Sequence, residues 1–212
     1  MYAKFLKRLF GFLLSLGMLT VLSPLLLVLT VTGAAAMKGN PFFTQARPGR
    51  HEKIFRLIKF RSMTNEKGPD GKLLPDSQRL KPYGRFLRAS SLDELPELFN
   101  ILLGQMALVG PRPLLVQYLP YYTEEEKHRH DVRPGLTGLA QVNGRNLIGW
   151  DERLRYDTEY VKHITFIGDL GILLKTVRKV FMHEDLAVDT DTAETYLDEE
   201  RRGALHDQSI RD

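Results

Sequence analysis

The run "LFGFLLSLGMLTVLSPLLLVLTVTGAAAM", Leu9 to Met37, holds 29 residues without one charged side chain. That exceeds the length a helix needs to cross a bilayer's hydrocarbon core, so this stretch constrains the chain more than any other. Three readings compete. A cleaved signal peptide suits Lys4, Lys7 and Arg8 before the run and the small residues Ala34 to Ala36 at its end, but the apolar stretch is about twice the usual ~7–15 residues. A plain spanning helix is the common outcome for such a run. The third reading is a helix that enters and leaves on one side. Ser23-Pro24 lies near the middle, where Pro24 cannot donate to the Thr20 carbonyl and its ring crowds it. Membrane helices tolerate that break when a serine or a neighbour satisfies the freed group. Lys4, Lys7 and Arg8 precede the run, and Lys38, Arg47, Arg50, Lys53 and Arg56 follow it. Both flanks thus carry the cytoplasmic signal, which a straight span obeys at one end only. This charge symmetry tips the reading toward re-entry, with a kinked span as the rival.

The remainder of the 212 residues suffices for one domain with its own core. The chain has no cysteine, which excludes a disulfide framework, a thiolate zinc site and a cysteine nucleophile. The net charge of +4 understates how basic the body is, because the stretch from Glu184 onward is acid-rich. Glu52 to Met63 alternates like a strand, bounded by Pro48-Gly49 and a polar loop. Asp76 to Ala89 reads as a basic helical segment. A further helix runs from Asp93 to about Leu103 and stops near Gly104. "ALVGPRPLL" is a short apolar run with a rigid turn, Leu114 to His130 reads as a helix, and "DVRPGLTGLAQVNGRN" as a glycine-punctuated loop region. Asp151 to Lys162 is helical. Phe166 to His183 spaces Ile167, Leu170, Leu174, Val177 and Phe181 on one face and Lys175, Arg178 and Lys179 elsewhere. It is either a helix lying at a membrane surface or a core helix with a solvated basic face. The tail from about Asp185 is polar and loosely ordered.

"RASSLDELPELFN", Arg88 to Asn100, sets two carboxylates side by side at a helix start. Asp93 reads plainly as an N-cap, with Pro96 then the third helical residue, where a missing N–H costs nothing. The chemical reading rests on the cations around it. Arg85 and Arg88 precede the pair, Arg112 is held extended between two prolines, Arg133 precedes Pro134-Gly135, and Arg145 follows Asn143-Gly144. Lys59 and Arg61 share one face of the early strand. A planar guanidinium fork suits phosphate oxygens, so these residues suggest an anion site. His128 and His130 in "KHRHD" lack a third ligand at metal-site spacing, and neither a Walker loop nor a dinucleotide fingerprint is present.

The Ser23-Pro24 break, "KFRSM" at Lys59, "SLDELPELFN", "VGPRPL" and "VRPGLTGLAQVNGRN", in this order, resemble the small monotopic polyprenyl-phosphate phosphoglycosyl transferases of bacteria, most closely the PglC type, over roughly Lys7 to Phe181. The resemblance implies an α/β, mostly helical fold. Residues 1–37 would form a re-entrant membrane helix broken at Ser23 and Pro24, and 38–184 a compact cytoplasmic catalytic domain with interfacial amphipathic helices. Residues 185–212 would be a polar tail. It implies transfer of a phospho-sugar from a UDP-sugar to undecaprenyl phosphate, giving the diphosphate-linked sugar and UMP, as the first membrane step of glycoconjugate assembly. UDP-N,N′-diacetylbacillosamine is the expected donor, with other UDP-HexNAc sugars and UDP-galactose open. Asp93 would be the nucleophile of a covalent phosphosugar intermediate and Glu94 its partner, both holding Mg²⁺. Lys59, Arg88, Arg112, Arg145 and Asp169 would serve the substrate phosphates, although Asp169 also reads as a helix cap. The expected location is the cytoplasmic face of the bacterial inner membrane, with downstream glycosyltransferases as partners and no nucleic acid. The large members carry additional spanning helices and another domain, so the small form is expected. Glu97 stands where Gln is common, and Gln105 and Ala107 where an acidic residue and Ser are frequent. The rival from another class is a basic, membrane-anchored protein that binds anionic lipid or nucleic acid without catalysis. It explains the charge and the anchor but not the paired acids.

Overall fold

The computed structural model describes residues 2–144, 148–182 and 196–202. The apolar run folds as two helices, α1 (Lys7–Val21) and α2 (Ser23–Ala36), bent 65° at the break. Ser23 Oγ donates to the Thr20 carbonyl at 2.8 Å, the very group that Pro24 cannot serve. Thr20, Thr30 and Thr32 likewise return their hydroxyls to carbonyls within their own helices. Among the described residues no single helix is long and apolar enough to cross a membrane, while the bent pair passes that test together. One stripe of α1, Gly11, Ser15 and Leu19, is buried at helical spacing. Most of the other apolar side chains of both helices are exposed, Val21 at 77% and Leu27 at 66%.

The hairpin that follows pairs β1 (Phe42–Pro48) antiparallel with β2 (Ile54–Phe60) in the register Phe43 to Lys59 and Arg47 to Phe55. The sequence reading began the strand at Glu52 and did not include β1. Residues Arg50 to Lys53 instead form a tight turn closed by the Lys53 amide on the Arg50 carbonyl, 3.3 Å, with His51 and Glu52 both left-handed at φ 55° and 58°. Two central residues at positive φ make a type I′ turn, and because the Gly49 amide also donates to the Lys53 carbonyl at 2.9 Å, Gly49 and Arg50 together oppose Lys53 as a bulge that joins the turn to the strands. Two short helices, α3 (Asp76–Arg79) and α4 (Pro82–Ala89), take the place of the one basic segment expected. Then comes α5 (Glu97–Leu102), ending at Gly104 with φ 81°, where glycine takes the left-handed position that closes a helix. Arg8 of α1 donates to the Ile101 and Leu102 carbonyls at 2.5 and 2.9 Å, capping α5 from the apolar helix pair.

Strand β3 (Ala107–Val109) pairs in parallel with β4 (Gly135–Thr137). The helix expected over Leu114 to His130 is broken into a 3₁₀ stretch Val116–Tyr121, α6 (Glu124–Lys127) and a 3₁₀ turn His128–His130. Pro120 withholds an N–H, and Thr123 restarts the chain with a reciprocal capping box to Glu126. After α7 (Leu139–Val142), α8 (Trp150–Lys162) and α9 (Phe166–Met182) complete the body. The α9 face with Ile167 (80% exposed), Leu170, Leu174 and Val177 is uncovered, while Ile172 enters the core with Leu173 packed against the same cluster. The loosely ordered tail needs correcting in part. Residues 196–202 are helical from 197 onward, Leu197 is buried beside Tyr118 and Trp150, and Arg201 grips Glu126 through two 2.6 Å bonds.

Leu19 of α1 joins Phe55 and Leu57 of β2 and Leu98, Ile101 and Met106 in one cluster. Leu29 of α2 joins Phe60 and Leu87 in another. The bent pair is therefore part of the core that carries the rest of the chain.

Candidate active site

Asp93 does not cap a helix. Ser91 turns left-handed at φ 54° and ψ 18° and starts a 3₁₀ turn, Leu92–Glu94. A cap at Asp93 would need the amide of Leu95 or Pro96. Leu95 donates to the Leu92 carbonyl and Pro96 has no N–H, so α5 begins only after Pro96. Among the described residues no hydrogen bond is formed by the Asp93 carboxylate, which faces a cleft of about 550 Å³.

The cleft brings Asp93 and Glu94 together with Lys59, Arg61, Arg88 and Arg112, drawn from β2, α4 and the Pro-Arg-Pro turn. It also includes Arg47, Arg79 and Arg153, which the sequence reading did not assign to it. Lys59 Nζ and Arg112 NH2 each reach Glu94 Oε1 at 2.7 Å. Lys59 also meets Glu97 at 3.1 Å, and Arg88 Nε donates to Ser62 Oγ at 3.0 Å. Arg133 is spent elsewhere, on the Gly104 carbonyl at 2.7 Å. Arg145 lies outside the described residues. Asp169 is not part of this cleft and is no cap, since Thr165 Oγ1 takes the Gly168 amide at the start of α9. Its carboxylate is buried against Lys7, Tyr2 and Tyr160, tying α9 to the chain's first helix.

Asn100 is the positioning residue that the sequence reading passed over. It is fully buried, its Oδ1 accepts the Ile58 amide at 3.1 Å, and its Nδ2 donates to the Arg56 carbonyl at 2.8 Å and to Gln105 at 2.7 Å. Those are the free edge groups of β2, so Asn100 binds α5 to the strand and sets Lys59 beside the acidic pair. The legible signal was a polar side chain between Leu98, Ile101 and Leu102, at the core spacing of its helix.

The two neighbouring carboxyls are driven apart electrostatically. Burial opposes charge on Glu94, but Arg112 and Lys59 outweigh it and hold this group well below the usual carboxylate range. Burial and then the Glu94 charge raise Asp93, and Lys59, Arg112 and Arg88 do not fully offset them. A fixed anion next to a more basic carboxylate is the split that separates an electrostatic partner from a nucleophile. Burial followed by the Glu94 charge pushes Glu97 up to about 7.

Comparison with known proteins gives a consistent picture. Residues 2–183 match the bacterial sugar transferase family. Over 182 residues the chain is 49% identical to an uncharacterized sugar transferase, EpsL, of Bacillus subtilis, covering 85% of this chain and 90% of that one. It is 39% identical to the undecaprenyl-phosphate galactose phosphotransferase of Salmonella typhimurium, covering 86% of this chain and 42% of that protein. It is 38% identical to the UDP-glucose:undecaprenyl-phosphate glucose-1-phosphate transferase of Klebsiella pneumoniae, covering 84% and 40%. The chain thus spans less than half the length of the last two.

Proposed function

We propose that this chain, which belongs to the bacterial sugar transferase family, moves a sugar phosphate from a UDP-sugar to a polyprenyl phosphate such as undecaprenyl phosphate, releasing UMP. The observation that carries the reading is the Asp93–Glu94 pair. Glu94 is locked by Lys59 and Arg112, while the Asp93 carboxylate has no hydrogen-bond partner among the described residues and faces a basic cleft. In the proposed step an Asp93 oxygen attacks the sugar-bearing phosphorus and the bond to the bridging oxygen breaks, so UMP leaves with that electron pair. A phosphate oxygen of the lipid then attacks the aspartyl phosphosugar, forming the diphosphate and freeing the carboxylate. Splitting the transfer in this way gives ping-pong kinetics. Lys59, Arg88 and Arg112 supply the positive charge that an anionic nucleophile needs to approach a diphosphate.

The donor set at the cleft fits Mg²⁺. Asp93 and the Glu94 oxygen not used by the two cations are hard oxygen donors, and this metal takes one or two carboxylates beside substrate phosphates. Among the described residues no group of three or more potential ligands forms a cage. Bound there, the ion would neutralise charge on the diphosphate. The relatives named for galactose and glucose widen the donor panel beyond UDP-N,N′-diacetylbacillosamine, and the exopolysaccharide proteins among them favour a polysaccharide pathway. The exposed apolar faces of α1, α2 and α9, and the bend at Ser23-Pro24, support a re-entrant seat at the cytoplasmic face of the inner membrane.

Intact-protein mass after mixing with UDP-sugars and Mg²⁺, without lipid, tests the reaction. Wild type should gain a phosphosugar mass and release UMP, and Asp93→Asn should do neither. UMP release that requires lipid, with no adduct at any time, would replace the covalent route by direct transfer. Undiminished function in Asp93→Asn would favour the non-catalytic binding protein.

A further inference from the structure

Arg112 has two ends to hold. Its guanidinium sits on Glu94 at 2.7 Å, while its own carbonyl accepts a 2.7 Å hydrogen bond from Arg129 NH2. Arg129 comes from the "KHRHD" run, which the reaction chemistry does not otherwise use. Its guanidinium is buried, and both Nε and NH2 reach Asp157 Oδ2 of α8, at 3.1 and 2.8 Å. The Tyr122 ring lies 5.4 Å from the guanidinium carbon. On the next residue, the Pro113 carbonyl accepts from Arg47 NH1 at 3.2 Å.

We infer that the buried Arg129–Asp157 pair is a positioning device that aims Arg112 at Glu94. This inference rests on the proposed reaction. Pro113 keeps Arg112 extended and each proline fixes its own φ, but ψ of Pro111 and φ of Arg112 stay soft, so the Arg112 peptide can still tilt. A charged donor on the Arg112 carbonyl removes that freedom, and Asp157 removes the donor's own. The pair gives direction more than stability, because buried ion pairs add little over a well-packed apolar pair of similar volume. Arg129 does not line the cleft, so its effect passes through Arg112; Asp157 does line it, and the Arg112→Ala background separates any direct contribution of Asp157 from the positioning one. Displacing Arg112 by an ångström would loosen Glu94 and weaken the field at Asp93, an error that costs on the order of 100-fold in rate.

The test uses the full-length chain in detergent or nanodiscs, reading UMP release with a UDP-sugar that wild type turns over. Arg129→Met combined with Asp157→Leu removes the charges together and keeps side-chain volume. We expect thermal stability near that of wild type, kcat down at least 10-fold, and KM for the UDP-sugar within about 3-fold. In an Arg112→Ala background the same double change should cost less than about 2-fold, since there is no longer an arginine to aim. A folded double variant with wild-type kcat would overturn the inference, as would losses that multiply with Arg112→Ala. Should that variant not fold, Arg129→Lys in the two backgrounds decides the same question, because lysine keeps the charge but not the fork. If wild type releases UMP from no sugar, the proposed reaction itself fails. If wild type is active and the cycle is additive, only the positioning role fails.

Discussion

Replacing Glu97 by glutamine should stabilise the protein, and increasingly so as pH rises. Glu97 is buried at 2% exposure, and the charges facing it are Lys59 at 3.1 Å with Glu94, Arg112 and Arg47 around them. Its carboxyl sits at about 7 in the fold against an unfolded value of 4.5. A group raised in this way supports the fold fully below its unfolded pKa and loses that support as pH climbs through the folded value. Relative to pH 4.5, wild type therefore carries a growing penalty that reaches on the order of 3 kcal/mol above pH 7. Glutamine carries none, and its amide oxygen can still accept from Lys59, which keeps its 2.7 Å bond to Glu94. Between pH 5.5 and 8.5 the variant's advantage should widen by about 2 kcal/mol, or roughly 4–8 °C in Tm for a chain of this size. Thermal unfolding followed by far-UV circular dichroism, with chelator present at both pH values, measures this. A difference that does not change with pH, or a Glu97→Gln protein less stable than wild type at pH 8.5, would refute the reasoning. UMP release should stay within about 3-fold of wild type, because Glu97 does not line the cleft.

Three further outcomes are expected. Asn100→Leu leaves the Ile58 amide and Arg56 carbonyl buried without partners and should destabilise by about 2–4 kcal/mol in urea unfolding, with lost activity as Lys59 drifts from Glu94; a change below about 0.5 kcal/mol would contradict the role given to Asn100. Changing His51 to Asn and Glu52 to Gly places residues suited to positive φ in the hairpin turn and should add about 1–2 kcal/mol without altering UMP release, which a Tm series would show. With the proposed re-entrant seat as the premise, Pro24→Ala should restore the helical bond to Thr20 and reduce the bend, so that a label at the N-terminus becomes reachable from the periplasm; unchanged shielding would mean that packing of Leu19 and Leu29 holds the bend by itself.

The local devices were legible because they depend on neighbours in the chain. The Ser23-Pro24 break, the stop at Gly104, and the helices α8 and α9 follow from proline, glycine and helical spacing, all acting within a few residues. The capping of a helix by Asp93 was equally local and was overturned by an equally local fact, the missing N–H of Pro96. β1 was overlooked because Phe42 to Pro48 looks ordinary until β2 pairs with it. The tail's residues 196–202 looked merely polar because Leu197 and Arg201 find their partners more than 40 residues away.

The sequence by itself determined the broken apolar helix, the acidic pair and the supply of arginines, since each is written in residue type and short spacing. Only the tertiary structure decided how those charges are used. Folding sends Lys59 and Arg112 to Glu94 and leaves Asp93 without a partner among the described residues, while Arg133 and Asp169 go to other tasks. Charge interactions depend on distance and burial in space, and neither quantity exists until α5 is bound to β2 through Asn100 and the Pro-Arg-Pro turn is held by Arg47 and Arg129.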